Sequence, residues 1–157
     1  AETAPFVDSL NMAIEQASLT WEECIAATAI HYVNDVQADM ANFDNGNFAD
    51  LDNFKNLAKH WGEMKGFALG LQFSPFSPFR NEDGSLAAIP YGDANATATL
   101  EDILNWMGDA PVLADGSQGG VADANGTAIA DYLTTLDNIK AVMQQAYGFN
   151  ADDVANW

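Results

Sequence analysis

The sequence is poor in basic residues, and this scarcity limits the partners it can have. Five Lys and Arg residues stand against 23 Asp and Glu residues in a chain of 157, so the formal net charge is −18 at pH 7. Nucleic acids and anionic membranes are polyanions that proteins usually contact through Lys and Arg. The charge therefore disfavours nucleic acid and favours cations or cationic partners. Sixteen of the acids are Asp, a balance that indicates a saline or marine habitat.

Cysteine and long apolar runs are scarce as well. Cys24 is the single cysteine, which excludes an internal disulfide framework, and its apolar surroundings predict a small core residue. No run of about 18 apolar residues is present, so no transmembrane segment is expected in this chain. The opening AETAPF is not a charged and apolar leader; it fits either a mature chain after signal cleavage or a piece of a longer protein.

Apolar residues recur every three or four positions along most of the chain, and no segment alternates convincingly with period two. We therefore predict an all-α fold: one helical-bundle domain over residues 1–157, long enough to bury a core. The four main helices are expected at residues 5–17, 20–42, 48–73 and 127–147, with a short helix at 99–108 and a last turn capped by Asn150. The apolar stripe of the first helix consists of Phe6, Leu10, Ala13, Ile14 and Ala17.

Capping residues mark the expected helix ends. Thr20 and Glu23 have the spacing of a capping box, and Thr99 with Asp102 repeats this pattern. Gly108 is placed to end the short helix that Thr99 begins.

Turn composition sets the expected connections. Residues 43–48, FDNGNF, predict a turn, so the second and third helices form an antiparallel hairpin over residues 20–73. Residues 74–98 and 109–126 are expected to be two long surface loops, and the first is either a folded-over lid or a binding loop.

The third helix carries the best candidate for a site. His60 and Glu63 are three residues apart, so both side chains can reach one cation from the same side of the helix. Imidazole with carboxylate suits iron or zinc rather than calcium, so a divalent metal, Fe or Zn, is the expected cofactor if one binds. The alternative is that His60 only hydrogen-bonds a neighbour at the edge of an apolar stripe.

Further ligands must come from another helix. His31 and Asp35 are four residues apart on the second helix and can face the first pair across the hairpin, and Glu23 is expected nearer the level of His60. These three residues are secondary metal candidates. No Ser/His/Asp or Cys/His arrangement, phosphate-binding Gly loop or His-Glu-x-x-His helix is recognisable, so no enzymatic activity is expected.

A second kind of site is a surface for a partner. Gly62, Gly66 and Gly70 recur every four residues and form a strip that another backbone can approach closely, although glycine costs a helix about 1 kcal/mol each. Chance spacing is the alternative explanation. With Phe76 and Phe79 of the SPFSPF loop, this strip is the candidate partner-binding surface.

Three segments carry a resemblance to a known family: ATAIHYVNDV (27–36), LAKHWGEMKGFALGLQFSPFSPF (57–79) and YGFNADDVANW (147–157). They resemble the C-terminal half of a family of bacterial secreted lipoproteins of unknown function, related to the imelysin-like iron-regulated proteins. The resemblance implies a helical bundle of the periplasm or cell surface, associated with iron acquisition. It also implies a missing N-terminal half, with a lipid anchor on the full-length protein.

The imelysin-like motif Gly-x-His-x-x-Glu maps onto His60 and Glu63, but Ala58 stands where that motif has glycine. The resemblance therefore implies metal ligation through two matching residues only. Two functions are expected: a metal-associated protein of iron acquisition, or a non-catalytic interaction module that binds another subunit or its own N-terminal half.

Overall fold

Helices dominate the chain, as predicted for an all-α bundle. The computed structural model describes residues 4–41, 51–92, 95–113, 117–118 and 128–157. The elements in chain order are α1 (Ala4–Ala41), α2 (Leu51–Gly70) with a 3-10 turn (Leu71–Phe73), β1 (Ile89–Pro90), β2 (Thr97–Ala98), α3 (Leu100–Met107), α4 (Ala128–Tyr147) and α5 (Ala151–Asn156). None of the described helices is long and apolar enough to cross a membrane.

The first two helices form the expected antiparallel hairpin. Asp39, near the end of α1, contacts His60 of α2, whereas Ile25 lies earlier in α1 and 3.7 Å from the position that a Cβ on Gly70 would take. Residue numbers therefore rise along α1 as they fall along α2. The predicted turn at residues 43–48 lies outside the described residues.

α1 is one continuous helix, so the predicted break before Thr20 is wrong. The Thr20 hydroxyl caps no helix and instead accepts a hydrogen bond of 3.4 Å from the Gln16 amide, one turn earlier. The residues around Thr20 include Ala, Leu, Gln and Glu, which favour helix interiors, and no Gly or Pro interrupts them. Every residue from 5 to 17 is exposed, so the predicted stripe that begins at Phe6 is not buried within this chain.

A single hydrophobic core lies between the second half of α1 and the other helices. The fully or almost fully buried apolar residues of the three long helices are Ala26, Ala29, Ile30, Val33, Val36 and Met40 of α1; Leu57, Met64 and Ala68 of α2; and Leu136, Ile139, Val142 and Met143 of α4. The core position predicted for Cys24 is wrong, because Cys24 is exposed. Trp21, one turn earlier in α1, is exposed as well.

The short helix α3 begins and ends where the sequence predicts. The Thr99 hydroxyl accepts a hydrogen bond from the backbone N–H of Asp102, and the Asp102 carboxylate accepts one from the backbone N–H of Thr99. This backbone bond, together with the one from the Thr99 hydroxyl, lowers the pKa of Asp102. Gly108 ends the helix with φ of 76°, a left-handed conformation that glycine adopts readily.

Side chains from other elements hold the C-terminal end of α3 in place. The carbonyl oxygen of Met107 accepts hydrogen bonds from Trp61, Gln118 and Tyr132. The ammonium group of Lys65 donates to the carbonyls of Leu104 and Gly108, where a cation is favoured by the helix dipole. The contacts fix α3 between α2 and α4.

Residues 74–98, predicted to form the first long surface loop, contain short paired β-strands. β1 and β2 pair in antiparallel fashion, with Ile89 opposite Ala98. An isolated antiparallel β-bridge joins the backbones of Arg80 and Leu86. The second predicted loop, residues 109–126, lies partly outside the described residues.

Candidate functional site

A polar cluster on the seam between α1 and α2 brings His60 of the first predicted pair to His31 and Asp35 of the second. The Nδ1 atom of His60 lies 2.7 Å from Oδ2 of Asp39, and its Nε2 atom lies 3.9 Å from Oδ2 of Asp35. The Nε2 atom of His31 lies 3.4 Å from the same Asp35 oxygen. The expected encounter of His31 and Asp35 with His60 therefore occurs, and Asp39 joins them.

The helical spacing of α1 explains why Asp35 and Asp39 both lie beside His60, with His31 next to Asp35. His31, Asp35 and Asp39 are each four residues apart, so they stand in one row along the helix. Asp39 was missed by the sequence prediction, although extending the His31 and Asp35 spacing by one more turn would have found it.

The environment of His60 orients its ring. The side chains of His60 and Asp39 are 22% and 14% exposed, so their hydrogen bond is largely shielded from water. An ionised carboxylate only accepts hydrogen bonds, so Nδ1 carries the hydrogen in this contact and Nε2 faces Asp35. Tyr32 lies against the ring, with the ring centroids 6.0 Å apart. The imidazole is thus held in one orientation.

The other predicted partner of His60 faces elsewhere. The carboxylate of Glu63 lies 3.8 Å from the ammonium group of Lys59, and its Oε2 atom has no hydrogen-bond partner among the described residues. Glu23 is twelve residues from Asp35 along α1, which places it about 18 Å away along the helix axis. The structure therefore does not bring Glu23 to the level of His60.

The side chains of this cluster do not form the ligand set that a metal ion requires. Across the described part of the chain, no three His, Cys, Asp or Glu side chains are grouped so that they could hold a metal ion. Structural zinc normally takes four ligands and catalytic zinc three. The cluster consists of one hydrogen bond, between His60 and Asp39, and two longer contacts of His31 and His60 with Asp35.

The predicted partner-binding residues fall into different environments. Gly62 and Gly66 face open space, because a Cβ on either would meet nothing within 4 Å, whereas Gly70 faces Ile25. No described backbone therefore packs on the first two glycines of the strip. Phe76 is partly exposed, but Phe79 is completely buried. The expectation that Phe79 presents a contact surface is corrected: its ring packs edge-on against Tyr147, inside the core.

An exposed apolar surface lies on α1, in the part that extends beyond α2. We call residues 4–20 the arm. Its exposed apolar side chains, together with Trp21 just after it, are Phe6, Val7, Leu10, Met12, Ile14 and Trp21. Phe73, at the end of the 3-10 turn, is 85% exposed on the described surface. The sequence indicated the apolar stripe but not its exposure.

The fold and these surfaces define an α-helical bundle with a polar seam and an exposed apolar arm. Comparisons of the chain with protein-family models, with curated proteins and with solved structures find no match. The relation to imelysin-like proteins therefore stays a prediction from the sequence.

Proposed function

We propose that this protein is a non-catalytic assembly module whose arm packs against a helix of a partner subunit. The observation that carries the proposal is the exposed apolar stripe of the arm. Val7, Leu10, Ile14, Ala17 and Trp21 are spaced by three and four residues in alternation. This is the heptad spacing with which helices pair in coiled coils.

The direction of the stripe supports a contact outside this chain. A helix turns by about 100° per residue, so the stripe is rotated by roughly 110° from the line of buried α1 residues that begins at Ala26. It therefore does not continue the face that packs on the core. Seventeen helical residues extend roughly 25 Å, which is long enough for more than two heptads of pairing.

Charge favours a basic partner over a second copy of the chain. Residues 1–41 contain seven acids and no Lys or Arg, and each copy carries a net charge of −18. Two copies would bring like charges together, whereas a helix with Lys or Arg beside its apolar seam would be attracted. We therefore commit to a basic amphipathic helix of another subunit as the occupant.

We expect a synthetic four-heptad helix with Leu at the seam and Lys at the flanking positions to bind the protein. A twin peptide with Glu in place of Lys should bind at least about tenfold more weakly. Fluorescence anisotropy of the labelled peptides measures both affinities. An Ile14→Asp variant should weaken binding of the basic peptide by at least about tenfold, because it places a carboxylate in the apolar seam.

Gln16→Asp is the matched control, since it adds the same charge to the arm on a different face and should change the affinity by less than about twofold. Equal affinities of the two peptides would contradict the charge argument. Analytical ultracentrifugation tests the competing occupant: a dimer that Ile14→Asp converts to a monomer would replace the proposal with self-association.

A second candidate function is divalent metal binding, as in the imelysin-like proteins of iron acquisition in the bacterial periplasm or at the cell surface. The observation that favours it is the row of His31, Asp35 and Asp39 facing His60. A metal-ligating histidine commonly donates its other ring N–H to a carboxylate, and the contact of His60 with Asp39 has this form. His60, Asp35 and His31 would be the ligands, with Glu63 outside the set.

Calorimetric titration with Zn²⁺ and with Fe²⁺ tests this candidate. If the cluster holds the metal, His60→Ala should weaken binding at least about tenfold, because an imidazole ligand is lost. Glu63→Ala should leave the affinity within about twofold. Unchanged affinity in His60→Ala would exclude the cluster as the binding site, and a loss in Glu63→Ala would restore the pair predicted from the sequence.

A further inference from the structure

A cavity of about 440 Å³ lies between α1 and the end of α2. Its lining includes Trp21, Ile25, Phe73 and Pro75, which form apolar walls, and Glu22, which adds one carboxyl group. Trp21 and Phe73 are 73% and 85% exposed, so the aromatic walls stand at the mouth. The volume falls within the range of small-molecule sites in proteins.

Glu22 is almost completely buried, with only 2% of the residue exposed, which is rare for a glutamate without a charged partner. Its Oε1 atom accepts a hydrogen bond of 2.6 Å from the hydroxyl of Tyr147. Its Oε2 atom is closed to solvent and has no hydrogen-bond partner among the described residues. The six ion pairs found in the described part of the chain do not include Glu22.

Tyr147 satisfies only one side of this carboxyl group. Burial, and then the hydrogen bond and charge of Glu22, raise the pKa of the Tyr147 hydroxyl far above its usual value. The hydroxyl therefore keeps its proton and acts as a donor to Oε1. The second oxygen is the one left for a donor from outside the chain.

A buried carboxyl oxygen without a hydrogen-bond donor lowers the stability of the folded protein. A ligand that donates a hydrogen bond to this oxygen removes the penalty. A donor that reaches Oε2 forms a charge-assisted hydrogen bond in surroundings of low polarity, where such bonds are strong. The indole of Trp21 and the ring of Phe73 can stack on an apolar body and attract a cation through their ring faces.

We propose that this cavity is a binding site for a primary ammonium group carried on a short apolar or aromatic body. Because Oε2 of Glu22 is closed to solvent, the exposed side chains of Trp21 and Phe73 would shift to admit the ammonium. The ammonium would then donate to Oε2, and the body would lie between the two rings. The same chemistry is offered by a free organic amine and by the side chain of a lysine. Ala17 and Trp21 belong both to the pairing stripe and to the cavity lining, so a partner helix would compete with the amine, but binding of the amine does not require that pairing.

Titration calorimetry with phenethylammonium, and with 2-phenylethanol as its uncharged analogue, tests the site. We expect the ammonium to bind at least about tenfold more tightly than the alcohol, because only the cation complements the carboxylate. Glu22→Gln keeps the shape of the side chain and should remove this preference. Equal affinity of the two ligands for the original protein, or an unchanged preference in Glu22→Gln, would overturn the proposal.

A second pair of variants keeps the test valid if Glu22→Gln does not fold. Gly70 lines the cavity in a helical conformation, and a Cβ there meets Ile25 at an ordinary distance of 3.7 Å. Gly70→Leu should therefore fill the cavity and weaken phenethylammonium binding at least about tenfold. Gly66→Leu is the control, because a Cβ at Gly66 faces open space on the same helix. Equal binding by both variants would contradict the site.

Two sources of the ammonium group, a free organic amine and a lysine side chain, are distinguished by a comparison of two ligands. These are phenethylammonium and lysine blocked at its backbone amino and carboxyl groups. Tighter binding of the blocked lysine supports a protein ligand, and tighter binding of phenethylammonium supports a free amine. Ile14→Asp should leave both affinities unchanged, because Ile14 does not line the cavity. A failure of arm pairing and a failure of this site are therefore distinguishable.

Discussion

Replacing Phe79 by alanine is expected to lower the free energy of unfolding by about 3–5 kcal/mol. The side chain is 0% exposed, and its ring packs against that of Tyr147 with the centroids 6.0 Å apart. Truncation would remove most of the ring contacts and leave a cavity that the surrounding helices fill only in part. For a domain whose total stability is about 5–15 kcal/mol, this is a large fraction. Urea denaturation monitored by circular dichroism measures the change.

Phe73→Ala is the matched control within the same region. Phe73 is 85% exposed, so its truncation should change the free energy of unfolding by no more than about 0.5 kcal/mol. Phe76, 38% exposed, should fall between the two. A loss below about 1 kcal/mol for Phe79→Ala, or similar losses for Phe73 and Phe79, would contradict the placement of Phe79 in the core.

Replacing His60 by alanine is expected to destabilise the hairpin by about 1.5–3 kcal/mol. The change removes a hydrogen bond of 2.7 Å to a charged partner. It also leaves the carboxylate of Asp39, only 14% exposed, without that partner. The penalty therefore combines a lost interaction with an uncompensated, largely buried charge. Thermal and urea unfolding in the presence of a chelator measure this effect apart from any metal.

His31→Ala is the comparison that isolates burial. The side chain of His31 is 48% exposed, and its contact with Asp35 is longer, at 3.4 Å. A solvent-exposed pair of this kind contributes about 0–1 kcal/mol, so His31→Ala should be nearly neutral. A double-mutant cycle of His60→Ala with Asp39→Ala should give a coupling energy of at least about 1 kcal/mol. A coupling near zero would show that the two side chains act independently.

The Phe79→Ala and His60→Ala experiments both ask whether a candidate functional residue stabilises the fold. Both His60 and Phe79 were candidate functional residues in the sequence, and each has a structural role that must be separated from function. If His60→Ala is destabilising but leaves metal affinity unchanged, the cluster is a structural network. If metal affinity falls as well, the polar seam serves both purposes.

The local features of this protein were readable from its sequence. The helical spacing of apolar residues, the capping box at Thr99 and Asp102, the terminating Gly108 and the cap at Asn150 all lie where predicted. Each depends on residues within a few positions of one another, and short-range geometry is nearly the same in any tertiary context. The break predicted at Thr20 failed because a capping pattern is also compatible with a helix interior.

The candidate site was predictable only in part. The sequence identified His60, His31 and Asp35, and the hairpin brings them together. It named Glu63 and Glu23 and missed Asp39. The spacing from His31 and Asp35 could have added Asp39 as a candidate, but the register of α1 against α2, which decides among the candidates, could not be read from either helix alone. A shift of one residue moves a side chain by about 1.5 Å along the helix and turns it by about 100°. Choosing the partner of His60 therefore required the packed hairpin.

The sequence by itself determined the class of fold, the positions of most helices and the strongly acidic net charge, because composition and periodicity do not depend on contacts between distant segments. Tertiary structure alone decided which phenylalanine of the SPFSPF segment is buried, which carboxylate meets His60 and which apolar stripe of α1 is left exposed. Burial is a property of the contacts between distant segments. An apolar residue is in the core only if another element covers it, and α2 ends before it can cover the arm.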